Sequence, residues 1–491
     1  MNSRVKYIFA ATLFIFAAVF SRAQTITTLL TNGPATNRIN LLLFAEGYRT
    51  NQQAQFTNDA RATVSNLLAT PPYSEYSNYF NAFAIGVPST NSGANHSATG
   101  NTNLSYFNAS YNSLGLTQLV TIPPNDRDAT YSKGKGKIEA LLTNASLYTN
   151  QLALATNLLS KFTATNRFLI LVVNDALYGG SGQPPTNTDA YPLAVTSLGS
   201  AGGIPAYDII AHESGHTFAN LADEYTNAFP SFVPVERANV TTNTVLANIP
   251  WKAWIEEGID IPTPPGFGLE SYVGVWAGAE YQATNWFRPR FDCKMNHLGQ
   301  GFCEICSEAI IKGCAQRLRL LENLFPATNN PVLTTTQTLA FNFARLQPST
   351  HNLRVQWFTN GLPANGQTNV TYTFNPAAFT NGNHTLRAAV WDDTALVRTD
   401  PTKILSNTYT WNLTIGVTSL TLTNARWRTN NQFTCAVAGT ALNGLVMQAT
   451  TNLALTNGWL NLSTNTLTNG VFNFTNTPGA TPRRYYRALG L

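Results

Sequence analysis

One helical turn, His212-Glu213-Ser214-Gly215-His216, constrains this 491-residue chain more than any other stretch. Ile209, Ile210 and Ala211 lead into it, and Phe218, Ala219, Leu221 and Ala222 follow, so the segment reads as a largely buried helix. Two imidazoles and a carboxylate are costly in such a helix unless a metal or a hydrogen-bonding partner satisfies them. At about 100° per residue, His212 and His216 lie about 40° apart on one face. Two of the chain's six histidines therefore stand at the spacing that clamps one zinc ion. Glu213 is turned away from the clamp but stays within reach of a water on the metal.

Catalytic zinc usually takes three protein ligands and one water. Asn220 is one of the few non-glycine residues that tolerate a left-handed turn, and Asp223 follows three residues later. If Asn220 ends the helix, Asp223 swings back as the third ligand; if the helix continues, Glu224 or a distant residue completes the site. The expected activity is that of a zinc-dependent endopeptidase with one catalytic Zn2+. Glu213 would act as general base and then general acid, and the substrate would be a protein or peptide. The alternative is an exported surface- or glycan-binding protein that keeps a structural metal. Glu213 argues against it, because a structural site needs no base beside the clamp. An amide in a non-protein polymer is a substrate class these residues do not distinguish from a peptide.

The run H-E-S-G-H-T-F-A-N-L-A-D-E-Y from His212 resembles the active-site signature of the IgA peptidase M64 family of metzincin-like zinc peptidases. Three other segments carry the same resemblance. Asn174-Asp175-Ala176-Leu177-Tyr178-Gly179-Gly180-Ser181-Gly182 is similar to the family's N-D-x-x-Y-G-G-S-G stretch. Leu43 to Tyr48 is similar to its first strand and D-G-Y turn, with Glu46 in place of aspartate. Cys293-Lys294-Met295-Asn296 and Phe302-Cys303-Glu304-Ile305-Cys306 are similar to its C-x-M-R and F-C-x-x-C segments. Asn296 stands for the arginine expected there and Asn220 for a glycine. The resemblance covers roughly residues 38–320. It implies that Met295 is a structural methionine in a tight turn beneath the metal, and that substrate lies along an edge strand beside the helix. Tyr178, Gly179 and Gly180 would then be substrate-binding, the glycines allowing close backbone approach; an ordinary turn after a core strand is the other reading. Immunoglobulin A as substrate does not follow from these residues.

Arg4 and Lys6 precede an apolar run from Tyr7 to Phe20, and Ser21-Arg22-Ala23 offers small residues before Gln24, the pattern of a secretory signal peptide over 1–23. No later segment supplies the roughly twenty apolar residues of a membrane span. Without residues 1–23 the balance of 30 basic against 25 acidic side chains becomes 27 against 25. That leaves a net charge of only +2, too small to suggest a nucleic-acid partner. The five cysteines are Cys293, Cys303, Cys306, Cys314 and Cys435. Four thiolates around a second zinc are set aside, because the spacing lacks two C-x-x-C knuckles. In an oxidising compartment a disulfide from Cys293 to Cys303 or Cys306 is expected instead.

Nearly 470 residues after the signal are too many for one core. The expected architecture is multidomain: an α/β metzincin-like zinc peptidase domain (24–327) followed by two all-β domains. These are an immunoglobulin-like β-sandwich (328–415) and a small β-rich domain (416–491). In the first, strands are expected over Arg38–Phe44 and Phe168–Val173. Helices are expected over Asn51–Leu68, Ala206–Ala219 and Cys303–Leu324, with loop at Ser92–Asn103. Gly266–Arg290, with Tyr272, Trp276, Tyr281 and Trp286, reads as an aromatic insertion that either walls the cleft or fills core. Beyond Pro331, short alternating runs such as Leu353–Phe358 and Thr385–Asp392 indicate strands. The C-terminal modules are the expected point of contact with a cell surface or matrix.

Overall fold

The computed structural model describes residues 23–490 except 101, 123–128, 184–190, 201–202, 228, 230–231, 267, 335–336, 417–419, 440–443, 456 and 480–482. The signal-peptide stretch up to Arg22 lies outside the described residues. The chain divides into two compact units: Met1–Leu318 with Leu396–Thr399, and Arg319–Ala395 with Asp400–Leu491.

The first unit is built on a six-stranded mixed sheet. Ile39–Glu46 and Arg167–Val173 are almost continuous apolar runs, which suits strands covered on both faces. They pair in parallel with each other. Phe80–Gly86 extends the parallel set on one side and Leu193–Ser197 on the other. Both edges are antiparallel: Thr25–Leu30 closes one, and the short strand Gly180–Gly182 closes the other. Gln53–Ala69 is helical, with Phe56, Ala60, Val64 and Leu67 recurring on one buried face.

Helix Ala206–Ala219 packs beside the Gly180–Gly182 edge, and its residues from Asp208 to Phe218 are all buried. Phe218 anchors its C-terminal end among Tyr73, Phe80 and Phe168, at ring separations of 6.1, 6.3 and 5.7 Å. The expected strands and helices of this unit form within a few residues of their sequence-read bounds, with one correction. The last helix spans only Glu304–Ala315, and Leu321–Phe325 is a strand pairing with Leu339–Arg345 in the second unit. The Leu320 N–H is taken by the Asn407 side chain at 2.6 Å, so the chain is already committed to a sheet there. The Gly266–Arg290 aromatics split between roles: Trp276 is buried against Phe291, whereas Tyr272 is exposed.

The second unit is all β. A three-stranded sheet (Leu321–Phe325, Leu339–Arg345, Thr371–Phe374) and a five-stranded sheet led by Gly382–Trp391 and Ser406–Ile415 enclose Phe341, Trp357 and Trp411. Two further three-stranded sheets close on Cys435, Val437, Leu445, Met447 and Phe474. No helix among the described residues is long and apolar enough to cross a membrane.

Candidate metal centre

The centre begins with a helix stop. Helix Ala206–Ala219 ends where Asn220 enters the left-handed region at φ 56°, ψ 37°. The Leu221 N–H then turns back to the Gly215 carbonyl at 3.0 Å, closing off a carbonyl the helix would otherwise leave open. This reversal carries Asp223 under the two histidines. Asn239 holds the returning strand with a pair of 2.9 Å bonds to the Ala222 N–H and carbonyl.

Three donor atoms then converge. His212 Nε2 lies 3.2 Å from His216 Nε2, and Asp223 Oδ1 lies 3.1 and 3.2 Å from the two nitrogens. Each imidazole is oriented from behind: His212 Nδ1 meets the Lys294 carbonyl at 2.9 Å and His216 Nδ1 the Leu221 carbonyl at 2.8 Å. With each Nδ1–H donating to a carbonyl, both Nε2 lone pairs face the same carboxylate. Such a cluster needs positive charge, supplied by a bound cation or by protons on the imidazoles. Nitrogen and oxygen ligands about 2.0–2.1 Å from one tetrahedral zinc stand about 3.3 Å apart, so the donor set fits the ion.

The electrostatics express the same demand. Burial would pull the His216 imidazole down, but Asp223 more than offsets it and holds the group at about 9. His212 is likewise raised against burial by its bond to Asp223. Burial would raise Asp223, yet His216 and His212 hold it far below the carboxylate range. Glu213 has no such partner, and burial pushes its carboxyl up.

Contacts from distant segments hold these groups in place. The Tyr281 hydroxyl donates to Asp223 Oδ2, fixing the carboxylate from the side away from the histidines. Lys294, itself buried, pairs with Asp208 on the helix, so the loop whose carbonyl orients His212 is tied to the helix that carries it. Met295 is fully buried beneath Gly215, where an added Cβ would come within 2.7 Å of its sulfur. Tyr281 stood in the aromatic insertion, but nothing in the sequence linked it to Asp223 across 58 residues.

The glycines of the edge segment are closely packed. A Cβ on Gly180 would strike Ile209 and lie 2.8 Å from Glu213 Oε1, and one on Gly179 would lie 2.5 Å from the Gln118 carbonyl. The backbone of Gly180 already meets the Gln118–Val120 segment, with its N–H 3.2 Å from the Gln118 carbonyl. These glycines are required by close packing against the helix and a neighbouring loop, so their small size needs no approaching substrate. Gly182 meets the helix backbone itself, with a hypothetical Cβ 2.6 Å from the Glu213 carbonyl. Tyr178 is half-buried, and its hydroxyl is pushed up to about 12 by burial and by the charges of Glu213 and Asp208.

Glu224 is not part of the histidine cluster. It faces the other way and is fully buried beside Cys293, Cys303 and Cys306. The expected disulfide is corrected here: all three cysteines are free thiols, and Cys293 Sγ and Cys306 Sγ stand 3.7 Å apart, far beyond the roughly 2.05 Å of an S–S bond.

No curated relative matches the chain. A quinonprotein alcohol dehydrogenase-like protein from Bacteroides thetaiotaomicron VPI-5482 is similar over 24% of this chain and 25% of its own, at 14% identity and a TM-score of 0.16. That likeness is too slight to bear on fold or function. The family model described as IgA Peptidase M64 matches residues 27–153 and 147–266. The match takes in the parallel strands Ile39–Glu46 and Arg167–Val173, the glycine edge and the histidine helix; the Cys293–Cys306 segment lies beyond it. It is therefore the IgA peptidase M64 family, a family of peptidases, that the N-terminal half of this chain matches.

Proposed function

We propose that this protein is an exported zinc-dependent endopeptidase acting on protein or peptide substrates, its C-terminal β-rich unit serving attachment. The observation that carries the reading is the convergence of His212 Nε2, His216 Nε2 and Asp223 Oδ1 within 3.2 Å of one another, with the buried Glu213 next to His212 on the same helix. His212, His216 and Asp223 would hold the ion. When bound, zinc supplies Lewis acidity, polarising a peptide carbonyl and easing ionisation of water.

The remaining chemistry belongs to side chains. Glu213 accepts a proton from the attacking water and returns it to the leaving amine. Burial raises its carboxyl above the ordinary glutamate value, which favours holding the proton between the two halves of that exchange. Tyr281 keeps Asp223 in one orientation, so that the carboxylate presents a single oxygen to the histidines. Tyr178 stays protonated and offers a hydrogen-bond donor beside Glu213.

The test is Glu213→Gln, which keeps shape and reach but cannot accept a proton. It should retain zinc and melting temperature while hydrolysis of a broad peptide library falls by orders of magnitude. His216→Ala should lose the ion from this centre. Zinc-loaded wild-type protein that cleaves nothing in the library would end the peptidase reading, and the binding-protein alternative would take its place.

A further inference from the structure

Behind the catalytic cluster lies a second group of metal-binding side chains. Glu224, Cys293, Cys303 and Cys306 are all buried, and one donor atom from each lies within 4.8 Å of the others. Three features separate this group from ordinary core cysteines.

The first is spacing. Thiolates about 2.3 Å from a tetrahedral zinc stand about 3.75 Å apart, and a thiolate and a carboxylate oxygen about 3.5 Å apart. Cys293 Sγ and Cys306 Sγ are 3.7 Å apart, and Cys306 Sγ is 3.4 Å from Glu224 Oε1.

The second is an unsatisfied carboxylate. Glu224 has no exposed surface, its Oε1 takes the Asn239 amide at 2.9 Å, and its Oε2 has no hydrogen-bond partner. A disulfide would consume two thiols and leave this carboxylate, with the third thiol, buried and uncompensated. Such a burial is costly, and a divalent cation removes the cost.

The third is the setting of the thiols. Cys303 is the N-cap of helix Glu304–Ala315 and Cys306 lies in its first turn, where the partial positive charge of a helix N-terminus favours thiolates. The Cys303 N–H donates to Cys293 Sγ at 3.2 Å, a bond of the kind that orients a ligand sulfur.

We propose that Cys293, Cys303, Cys306 and Glu224 bind a second, structural zinc ion. Three soft thiolates and one carboxylate in a buried setting suit a tetrahedral zinc without redox chemistry. Binding releases the three thiol protons to solvent, and no electron is transferred. Cysteine spacing by itself does not reveal such a site, because the fourth ligand is a carboxylate contributed from 69 residues before Cys293.

The site braces the catalytic one. Asp223 and Glu224 are consecutive and face opposite clusters. The Glu224 N–H donates to the Met295 carbonyl at 2.8 Å, and the Lys294 carbonyl orients His212 at 2.9 Å. Pinning Cys293 and Glu224 to one ion therefore fixes both the third ligand and the support of the first.

The experiment is metal counting by native mass spectrometry and elemental analysis on the full chain produced with zinc, followed by cobalt substitution. Wild type should carry two zinc ions per chain and His216→Ala one. Cobalt in His216→Ala should give the intense near-ultraviolet thiolate-to-cobalt band, and Glu224→Gln should weaken that band without touching any thiol. Cys293→Ser should abolish it; if that variant does not fold, the His216→Ala and Glu224→Gln spectra still decide. A wild type with one zinc that vanishes in His216→Ala, or an intact mass short of two hydrogens with no thiolate-to-cobalt band, overturns the proposal. Neither readout uses peptide hydrolysis, so failure here is distinct from failure of the peptidase reading.

Discussion

Replacing Gly182 by alanine tests whether the edge strand is seated on the histidine helix by contact alone. A Cβ at this position would lie 2.6 Å from the Glu213 carbonyl, 3.0 Å from Glu213 Oε2 and 3.0 Å from His216 Cβ. Ordinary contact begins near 3.4 Å, so strand and helix must separate by about 0.8 Å, and the nearest obstacle is helix backbone that cannot swing aside. Overpacking of this kind costs about 1–3 kcal/mol. At about 2–4 °C per kcal/mol for a unit of this size, the melting temperature should fall by a few degrees. The effect on activity should be larger, because the displaced atoms belong to the proposed base and a metal ligand. A misplacement near 1 Å costs about a hundredfold in rate. The assay is kcat/KM on a fluorogenic peptide selected from the library digest, read beside thermal unfolding and zinc content. Gly215→Ala is the comparison. Its Cβ would meet the Met295 thioether at 2.7 Å, an unbranched side chain that can yield, and alanine gains helix propensity. It should cost less than Gly182→Ala in both measurements. Wild-type melting temperature and kcat in Gly182→Ala would refute the packing argument.

Tyr281→Phe removes the hydroxyl that holds Asp223 Oδ2, and zinc affinity measured by chelator competition should fall about 10–100-fold with little change in fold. At Asn220, held at φ 56°, alanine should cost about 1–2 kcal/mol in chemical denaturation while glycine costs less, and only alanine should weaken zinc. Glu46 is fully buried and accepts from the Ser105 hydroxyl and the Phe107 and Ala109 N–H groups at 2.6–2.8 Å. Burial outweighs those bonds and raises its carboxyl above the ordinary value. The folded state therefore holds this proton to higher pH than the unfolded chain does. Its contribution to stability is complete below the ordinary glutamate value and is lost as pH rises through the raised one. The stability of wild type relative to Glu46→Gln should decline across that window in denaturant titrations; a difference that grows with pH would contradict the sign.

Local pattern made much of this protein legible without coordinates. The almost continuous apolar runs within Ile39–Glu46 and Arg167–Val173 read as covered strands. The histidine spacing follows from helix geometry alone. The left-handed turn at Asn220 was open to inference because few side chains accept that conformation. What sequence could not supply was every relation whose partners are far apart in the chain. Tyr281 on Asp223, Lys294 on Asp208, and the closing strand at Leu321–Phe325 depend on how distant segments dock. The same holds for the close packing of the edge-strand glycines on the helix. It holds most for Asp223 and Glu224. Neighbours in sequence and alike in chemistry, they differ only in direction, and the chain reversal after Asn220 turns one carboxylate to the histidines and the other to the thiols.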